Sequence, residues 1–218
     1  PLTLYSTRDE TVTGRDFLGS LRTTTTEHGA ILTIDEEKIP TRFQYFHRDQ
    51  DQSDPIGTQN YSAAQNTFTA QSSARLSDSQ KIELSYEFDH VDENQQPLPQ
   101  NSYDRQDGTL THYWYFGSEG RSNLRSNLRY LDQTGRYNQS LLRLDEQAVA
   151  YHNDHLETRY NFAVEDQTRG SADQRLITGN AQIRHKLFQS LVSSATAGGS
   201  SFEIPGEFDS TEFFTSGT

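Results

Sequence analysis

The chain lacks several residue types and patterns that whole classes of protein depend on. It has no cysteine, which excludes a disulfide framework and any thiolate metal site. It has no run of about 18 apolar residues, which excludes a transmembrane helix. A membrane barrel needs only about 9–11 alternating residues in each strand, so that class stays open. Methionine is also absent and the sequence begins at Pro1, so we interpret it as a processed or partial product.

Charge and apolar content narrow the class further. The formal net charge of −12 argues against a nucleic-acid partner, because no basic stripe is present to neutralise phosphates. Lysine occurs only at Lys38, Lys81 and Lys186, so arginine supplies most of the positive charge. Hydrophobic residues make up 31% of the chain and its mean hydropathy is −0.88. This composition is typical of a sheet with one wet face, because aromatics still reach 11% and the apolar positions are periodic.

The clearest pattern is a strict alternation over residues 82–89. Ile82, Leu84, Tyr86 and Phe88 fall on one side of a strand. Glu83, Ser85, Glu87 and Asp89 fall on the other. A period of two over eight positions predicts a strand with one apolar and one polar surface.

Similar runs predict an all-β chain of about twelve antiparallel strands in an up-and-down meander, forming a transmembrane β-barrel or a large part of one. The predicted strands cover 2–8, 15–26, 28–36, 40–48, 65–77, 80–91, 106–117, 121–132, 138–152, 155–168, 174–188 and 190–198. Turn-forming residues join some of them tightly, at 77–79, 117–120 and 153–154. Longer polar connections are expected at 49–64, 92–105 and 169–174, on the opposite side if the chain is an outer-membrane barrel.

Two segments are less regular. Residues 121–133 also fit a helical stripe of leucines, but Ser-Asn pairs are poor helix formers, so a strand is predicted. The sequence divides into an antiparallel sheet over 1–192 and an irregular Gly/Ser-rich segment over 193–218, leading to a further strand or the chain end.

Several phrases resemble large porin-like β-barrel proteins of Gram-negative outer membranes. They are TTTTEHGAILTIDEEKIPTRFQYFHRDQ, KIELSYEFDHVDE, NLRYLDQTG, LLRLDEQAVAYHNDHLETRYNF and IRHKLFQSL. The resemblance implies this fold and an outer-membrane location, and that the chain is a portion of a longer barrel. It implies no substrate, because the function of these proteins is poorly defined.

The barrel interpretation assigns the two surfaces of the strands to lipid and to a lumen. The expected lipid-facing residues are Ile82, Leu84, Tyr86, Phe88, Leu110, Trp114, Phe116, Leu156, Tyr160, Phe162 and Val164. Trp114, between Tyr113 and Tyr115, suits an interfacial aromatic girdle or, alternatively, an ordinary β core. The expected lumen charges are Arg121, Arg125, Arg129 and Arg143, with Glu83, Glu87 and Asp89 as acidic counterparts. Asn123, Asn127, Asp145, Gln147, Glu157, Arg159 and Glu165 share that surface, which is alternatively a solvated sheet face.

Glu146 does not fit this assignment, because it is a charged residue on the expected lipid side. The phase of 138–152 places it with Leu142, Leu144 and Ala148 on the lipid side. Either a bulge near Asp145 switches the phase, or Glu146 lies near the headgroups.

Candidate metal sites are weak. Asp49, Asp51 and Asp54 resemble a calcium loop, but the glycine and the final bidentate glutamate of an EF-hand are missing. His152, Asp154 and His155 lie together at a turn, where imidazoles are more often solvated than ligating. No cofactor is expected.

The sequence therefore predicts a passive outer-membrane pore or scaffold with a polar interior, and no enzyme, because it has no nucleophile elbow or phosphate-binding glycine loop. Its expected partners are the lipid bilayer, small ions or solutes, and a periplasmic or extracellular protein. The main alternative is a soluble, secreted β-sandwich that binds glycans or builds an extracellular assembly. A third is a barrel that sheathes an electron-carrying partner.

Overall fold

A computed structural model describes residues 1–15, 19–53, 60–95, 98, 100–135, 138–188 and 191–218. Its strands are β1 Leu2–Arg15, β2 Gly19–Ile34, β3 Thr41–Ser53, β4 Tyr61–Ser77, β5 Gln80–Gln95, β6 Asn101–Phe116, β7 Ser122–Gly135, β8 Gln139–Tyr151, β9 Leu156–Arg169, β10 Ala172–Phe188, β11 Leu191–Ile204 and β12 Phe208–Gly217. A single 3₁₀ turn, Ser118–Gly120, is the one helical element of the described residues. No helix among them is long and apolar enough to cross a membrane.

The strands form one sheet in the order in which they occur along the chain, β1 to β12. This confirms the predicted all-β, antiparallel up-and-down meander of twelve strands. Strands that follow one another in sequence pair, so successive connections lie at alternating ends of the sheet. The predicted tight turns at 77–79, 117–120 and 153–154 belong to one end, and the segments predicted as longer connections, 49–64, 92–105 and 169–174, belong to the other. The last of these predictions is wrong, because β9 and β10 are joined by a two-residue turn, 170–171.

The chain consists of two compact units. The first comprises Pro1–Ser72, Ser85–Asp107 and Asp132–Asn138. In it, β1 pairs with β2 and β2 with β3 in unbroken register, from Leu2↔Leu32 to Arg15↔Gly19 and from Arg22↔Ser53 to Ile34↔Thr41.

The second unit comprises Ser73–Leu84, Gly108–Leu131 and Gln139–Thr218. Here β8 pairs with β9 without interruption from Gln139↔Arg169 to Tyr151↔Glu157. The β10–β11 pair shifts register once, between Lys186 and Phe188. The strand predicted over 121–133, where a helical stripe was the alternative, is confirmed, because these residues lie mostly in β7.

Two strand predictions are wrong, although the predicted number of strands, twelve, is correct. The single strand β2 is predicted as two strands, and β12 is predicted as irregular chain. The predicted breaks near 27 and 198 do not exist, because β2 runs through Glu27 and His28, and β11 runs through Gly198. Glu27 continues β2 because its carboxylate accepts hydrogen bonds from Arg48 and Tyr5 on the neighbouring strands. The predicted irregular segment over 193–218 is instead most of β11 and all of β12.

Glycines explain why β11 and β12 pair closely. The ring of Phe214 lies over Gly198, where a Cβ would come within 2.6 Å of the ring and 2.7 Å of the Gly179 carbonyl oxygen. Phe213 covers Gly199 on the other side in the same way. A Gly/Ser-rich segment therefore forms a regular strand here because aromatic residues of the next strand fill the space above it.

Burial in the described residues is inverted relative to an ordinary protein core. Among the residues whose burial the structure describes, Val91 is the only buried hydrophobic residue, whereas Thr67, Asp89, Thr111 and Ser122 are buried polar residues. Many large apolar side chains are exposed, among them Leu84 at 48% and Ile183 at 52%. Polar groups thus occupy the most enclosed positions, and apolar groups occupy the surface.

Candidate functional site

The sheet has an apolar face and a polar face, defined by β5. The apolar face is the side of Ile82, Leu84, Tyr86 and Phe88, and the polar face is the side of Glu83, Glu87 and Asp89. Contacts between side chains then assign the neighbouring strands to the same two faces. Whether one face meets lipid and the other a lumen stays a prediction.

In the second unit the apolar face runs continuously across paired strands. Leu144 of β8 lies opposite Val164 of β9, which lies opposite Ile177 of β10. Tyr160 and Phe162 stack two residues apart, with ring centroids separated by 6.3 Å. Trp114 and Phe116 of β6 pack with centroids 5.0 Å apart, and Trp114 is 39% exposed. These residues cover much of the length of the strands with apolar surface.

The first unit shows the same division, with a polar extension. Leu2 lies opposite Leu32, Leu32 opposite Phe43, and the Phe43 and Phe68 rings stack with centroids 6.3 Å apart. Further along the same side of β3 come His47, Asp49 and Asp51. The apolar surface therefore ends partway along these strands and a polar surface begins.

The polar face of the first unit is a hydrogen-bonded wall. Gln65 and Thr67 of β4 both donate to the Asp89 carboxylate of β5. Glu27 accepts from Nε and Nη2 of Arg48, at 2.9 and 2.6 Å, and from the Tyr5 hydroxyl at 3.0 Å. These contacts account for the burial of Thr67 and Asp89, which are only 3% and 6% exposed.

The polar face of the second unit carries ion pairs. Arg143 donates twice to Asp145, at 2.8 Å each, and once to Glu165 at 3.0 Å. Lys81 pairs with Glu83 at 2.6 Å, and Arg159 donates to Glu157. Of these pairs, Arg143–Glu165 is directly opposite across two strands, and such a pair stabilises a sheet by roughly 0.2–1 kcal/mol.

Arg125 differs from these cations. Its guanidinium carbon lies 5.8 Å from the centroid of the Tyr113 ring. Within the described part of the chain, it makes no ion pair with a carboxylate. Its side chain is held by a cation–π contact and stays available to a solute.

Arg125 lines a cleft of about 450 Å³ in the second unit, which we call the Arg125 cleft. The residues that line it are Tyr113, Tyr115, Asn123, Leu124, Arg125, Gln147, Ala148, Val149, Arg159 and Asn161. Arg125 and Gln147 also line a smaller cavity of about 190 Å³ with Asn127 and Asp145. Arg125 therefore lines two cavities on the polar face.

The structure groups some of the predicted lumen residues and separates others. Arg125 and Glu83 approach the same tyrosine, Tyr113, whose hydroxyl donates to Glu83 at 3.4 Å. Arg121 lies before β7 and pairs with Asp154 of the β8–β9 connection at 2.8 Å. Arg129 lies within β7, four residues after Arg125 and so on the same side. Glu87 lies two residues before Asp89 on β5.

Tyr113, Tyr115, Gln65 and Thr67 are not among the residues predicted to lie on the polar face. Tyr113 and Tyr115 were expected beside Trp114 in an aromatic girdle, but alternation along β6 places them on the opposite, polar face. Because side chains alternate along a strand, residues 113 and 115 lie on the side opposite to residue 114, and the sequence alone implies this. Nothing in the sequence pairs Thr67 with Asp89, because that contact depends on the register between β4 and β5.

Glu146 keeps its predicted phase on the apolar face. The β8–β9 register continues past Asp145, so the bulge, one of the two alternatives, does not occur in this pairing. Instead Ser126 of β7 donates to the Glu146 carboxylate at 3.2 Å. A neighbouring hydroxyl, rather than a change of phase, satisfies this carboxylate.

The candidate metal ligands do not converge. His152 contacts Thr158, while Asp154 accepts from Arg121. Asp49 contacts His47, Asp51 follows it on the same side of β3, and Asp54 lies outside the described residues. Across the described ranges, no three histidines or acids are arranged to hold a metal ion.

The Arg121–Asp154 pair lies in the connections between strands. The hydrogen bond and charge of Arg121 lower the pKa of Asp154, and Asp154 in turn raises the pKa of Arg121. Both side chains are well exposed, so the pair is screened by solvent.

Comparison with known proteins gives matches among solved structures alone. A scan of protein-family models and a search of curated proteins found no match. The β domain of the Bordetella autotransporter BrkA is 8% identical, with a TM-score of 0.38, over 99% of this chain and 96% of that one. CdiB from Acinetobacter baumannii is 9% identical, with a TM-score of 0.42, over 99% and 53%. The translocator domain of NalP from Neisseria meningitidis is 9% identical, with a TM-score of 0.31, over 99% and 86%.

These neighbours are Gram-negative outer-membrane β-barrels. At these TM-scores the likeness supports no inference about the function of this chain. The arguments that follow depend on its own two faces.

Proposed function

We propose that this chain is an outer-membrane β-barrel, or a large part of one, acting as a passive pore or membrane scaffold with a polar, charged interior. One observation carries the proposal. Four of the five buried residues in the described ranges are polar, Thr67, Asp89, Thr111 and Ser122, with Val91 as the exception, while the exposed face carries Leu, Ile, Phe and Trp. This is the reverse of a water-soluble sheet, which packs its apolar face inward.

Lipid is the environment that suits such an exposed apolar face. Apolar surface left in water costs roughly 25 cal/mol per Å², so a continuous band across many strands is unfavourable unless something covers it. Hydrocarbon covers it without a second protein layer. The aromatic residues Trp114, Phe116 and Tyr160 fit the aromatic and apolar belts of such proteins.

The strand order supports the same conclusion. Long antiparallel strands in sequence order leave two edges, and unpaired backbone groups are not tolerated in hydrocarbon. An up-and-down barrel satisfies these groups by pairing every strand on both sides. A meander of twelve strands, each of 10–17 residues, supplies the elements for such a barrel.

On this proposal the polar face lines the interior. Its carboxylates are mostly paired, as Asp145 and Glu165 are with Arg143 and Glu157 is with Arg159. Arg125 makes no ion pair in the described part of the chain, and it lines two cavities of the polar face. It is therefore the strongest candidate for a residue that sets ion preference, and no residue has a catalytic role.

The proposal also gives location and partners. The chain lies in the outer membrane of a Gram-negative bacterium, with the lipid bilayer around it and small ions or solutes inside. The end of the sheet that carries the polar extension of β3 faces the cell exterior, because outer-membrane barrels have their longer polar segments there. A periplasmic or extracellular protein partner is compatible with the polar ends of the strands.

Conductance measurements test the proposal. The purified protein is expected to need detergent to stay in solution and to produce conductance steps in planar bilayers. Replacing Arg125 and Arg129 with Glu is expected to shift the reversal potential toward cation preference, because both lie on the polar face. Lys38→Glu, in the exposed connection between β2 and β3, makes the same change of charge as either single Arg→Glu substitution, and as the control it is expected to change little. Solubility without detergent, or an unchanged reversal potential with Arg125→Glu and Arg129→Glu, contradicts the proposed pore.

A further inference from the structure

The Arg125 cleft has a charge opposite to that of the whole protein. Its lining contains two guanidinium groups, Arg125 and Arg159, and no carboxylate. The chain as a whole has a formal net charge of −12, so the lining of this cleft is opposite in sign to the molecule. The carboxylates next to it, Glu83 and Glu157, lie outside the lining, so the groups that face the cleft attract anions.

The two guanidiniums differ in their availability. Arg159 donates its Nε to Glu157, which lies outside the lining of the cleft. Arg125 has only the Tyr113 ring beneath it and makes no ion pair in the described part of the chain. The planar guanidinium of Arg125 can thus bind a carboxylate through two parallel hydrogen bonds without first breaking an ion pair.

The remaining polar lining suits hydroxyl groups. Among the described residues, the amides of Asn123 and Gln147 make no side-chain hydrogen bond. Asn161 donates its Nδ2 to Asn180 at 2.9 Å, which leaves its own oxygen able to accept. Amides both donate and accept, so they match the hydroxyl groups of a sugar better than they match a simple ion.

Aromatic surface completes the site. The rings of Tyr113 and Tyr115 line the same cleft beside Arg125. An aromatic ring can pack against the C–H face of a sugar while polar groups bind its edge. A volume of about 450 Å³ is large enough for a monosaccharide.

We propose that the Arg125 cleft binds a small, hydroxyl-rich carboxylate of the sugar-acid class. Arg125 binds the carboxylate, the amides of Asn123, Gln147 and Asn161 bind hydroxyls, and Tyr113 and Tyr115 pack against the ring. This assignment extends the proposed function only by giving the polar interior a preferred solute. Binding to the protein in detergent requires neither membrane insertion nor conductance, so the two proposals fail independently.

Equilibrium dialysis of the whole chain in detergent micelles tests the site, with D-glucuronate as the probe. Saturable glucuronate binding is expected, with D-glucose binding at least tenfold more weakly because it lacks the carboxylate. Inorganic phosphate at the same concentration is expected to displace glucuronate only weakly. Equal binding of glucose, or full displacement by phosphate, overturns the assignment.

Variants separate recognition from folding. Arg125→Gln is expected to weaken glucuronate binding at least tenfold, and Asn123→Asp to weaken it by a similar factor because it places a repelling carboxylate in the cleft. Asn123→Asp keeps nearly the same shape and is expected to weaken glucose binding less than glucuronate binding, because glucose has no carboxylate to be repelled. Arg175→Gln, on the opposite face where Arg175 pairs with Asp166, is the matched control. Unchanged glucuronate binding in either cleft variant, with a wild-type circular-dichroism spectrum, contradicts the proposal.

Discussion

At the scale of single residues, the apolar face contains one carboxylate that needs an explanation. Glu146 lies across from Phe162, among apolar neighbours, and accepts a hydrogen bond from Ser126. A polar group in such surroundings costs free energy unless it is hydrogen-bonded. Ser126 therefore matters to stability although it is small and contacts no solute.

Replacing this serine is expected to destabilise the protein in a membrane. Ser126→Ala leaves the Glu146 carboxyl without its partner, which costs about 1–3 kcal/mol. Urea unfolding in lipid vesicles measures the loss. Ser140→Ala, on the same face of β8, is the control and is expected to change the free energy of unfolding by less than about 0.5 kcal/mol. Equal effects of the two changes contradict the role given to Ser126.

The Arg121–Asp154 pair predicts a dependence on pH. Because the pKa of Asp154 is lowered in the folded state, the pair stabilises the fold above the unfolded pKa of about 3.9. That contribution is lost as pH falls through the lower, folded pKa. The melting temperature of Asp154→Asn is expected to lie slightly below that of the parent chain at pH 6, and the gap is expected to close below about pH 4. A gap that widens with acid contradicts the assignment, because the sign is then reversed.

Residue type and spacing could predict which side of a strand each charge occupies, but not its partner. Arg125 and Glu83 were assigned to the polar side from alternation alone. Arg143 is paired with two acids, and Arg125 is paired with none. This difference depends on the cross-strand register, which cannot be read from the local sequence. Arg121, assigned to the same group, lies instead at a connection with Asp154.

At the scale of elements, β9 offers the sharpest contrast between the two faces. Phe162 lies on the apolar face near the middle of the strand, and its neighbour Ala163 lies on the polar face opposite Asp145. Phe162→Arg is expected to cost about 2–4 kcal/mol in a bilayer, because the guanidinium is placed in hydrocarbon. Ala163→Arg is expected to be tolerated, because it adds a cation beside Asp145 in a hydrated space.

The yield of folded protein after refolding into vesicles measures this difference. It can be read as the heat-modifiable band on a gel, with the parent chain as reference. A lower yield for Phe162→Arg than for Ala163→Arg supports the assignment of the faces. The opposite order contradicts it.

Alternation was enough to predict most strands, but two boundaries depended on neighbours. β2 continues through polar residues because Arg48 and Tyr5 bind Glu27 from adjacent strands. β11 and β12 pair because Phe213 and Phe214 cover glycines that, read alone, are typical of irregular chain. In both cases the missing information was a tertiary contact rather than a local preference.

At the scale of the whole molecule, the account depends on which environment the apolar face meets. The meander topology was predictable, since alternating runs with short connections favour neighbouring strands in sequence order. The inverted polarity was visible only after burial was known, because a soluble sheet gives the same alternation. The structure contains mostly polar enclosed positions and an apolar exposed face, and the proposed lipid environment accounts for both.

Fluorescence of the single tryptophan tests that claim most directly. Trp114 lies on the apolar face and is 39% exposed. Because the sequence has one tryptophan, all of the tryptophan fluorescence comes from this position and no substitution is needed. After reconstitution, lipids with brominated acyl chains are expected to quench Trp114 strongly, and aqueous acrylamide is expected to quench it weakly. Strong quenching by acrylamide with none by the brominated lipids contradicts the account, because the apolar face then meets water.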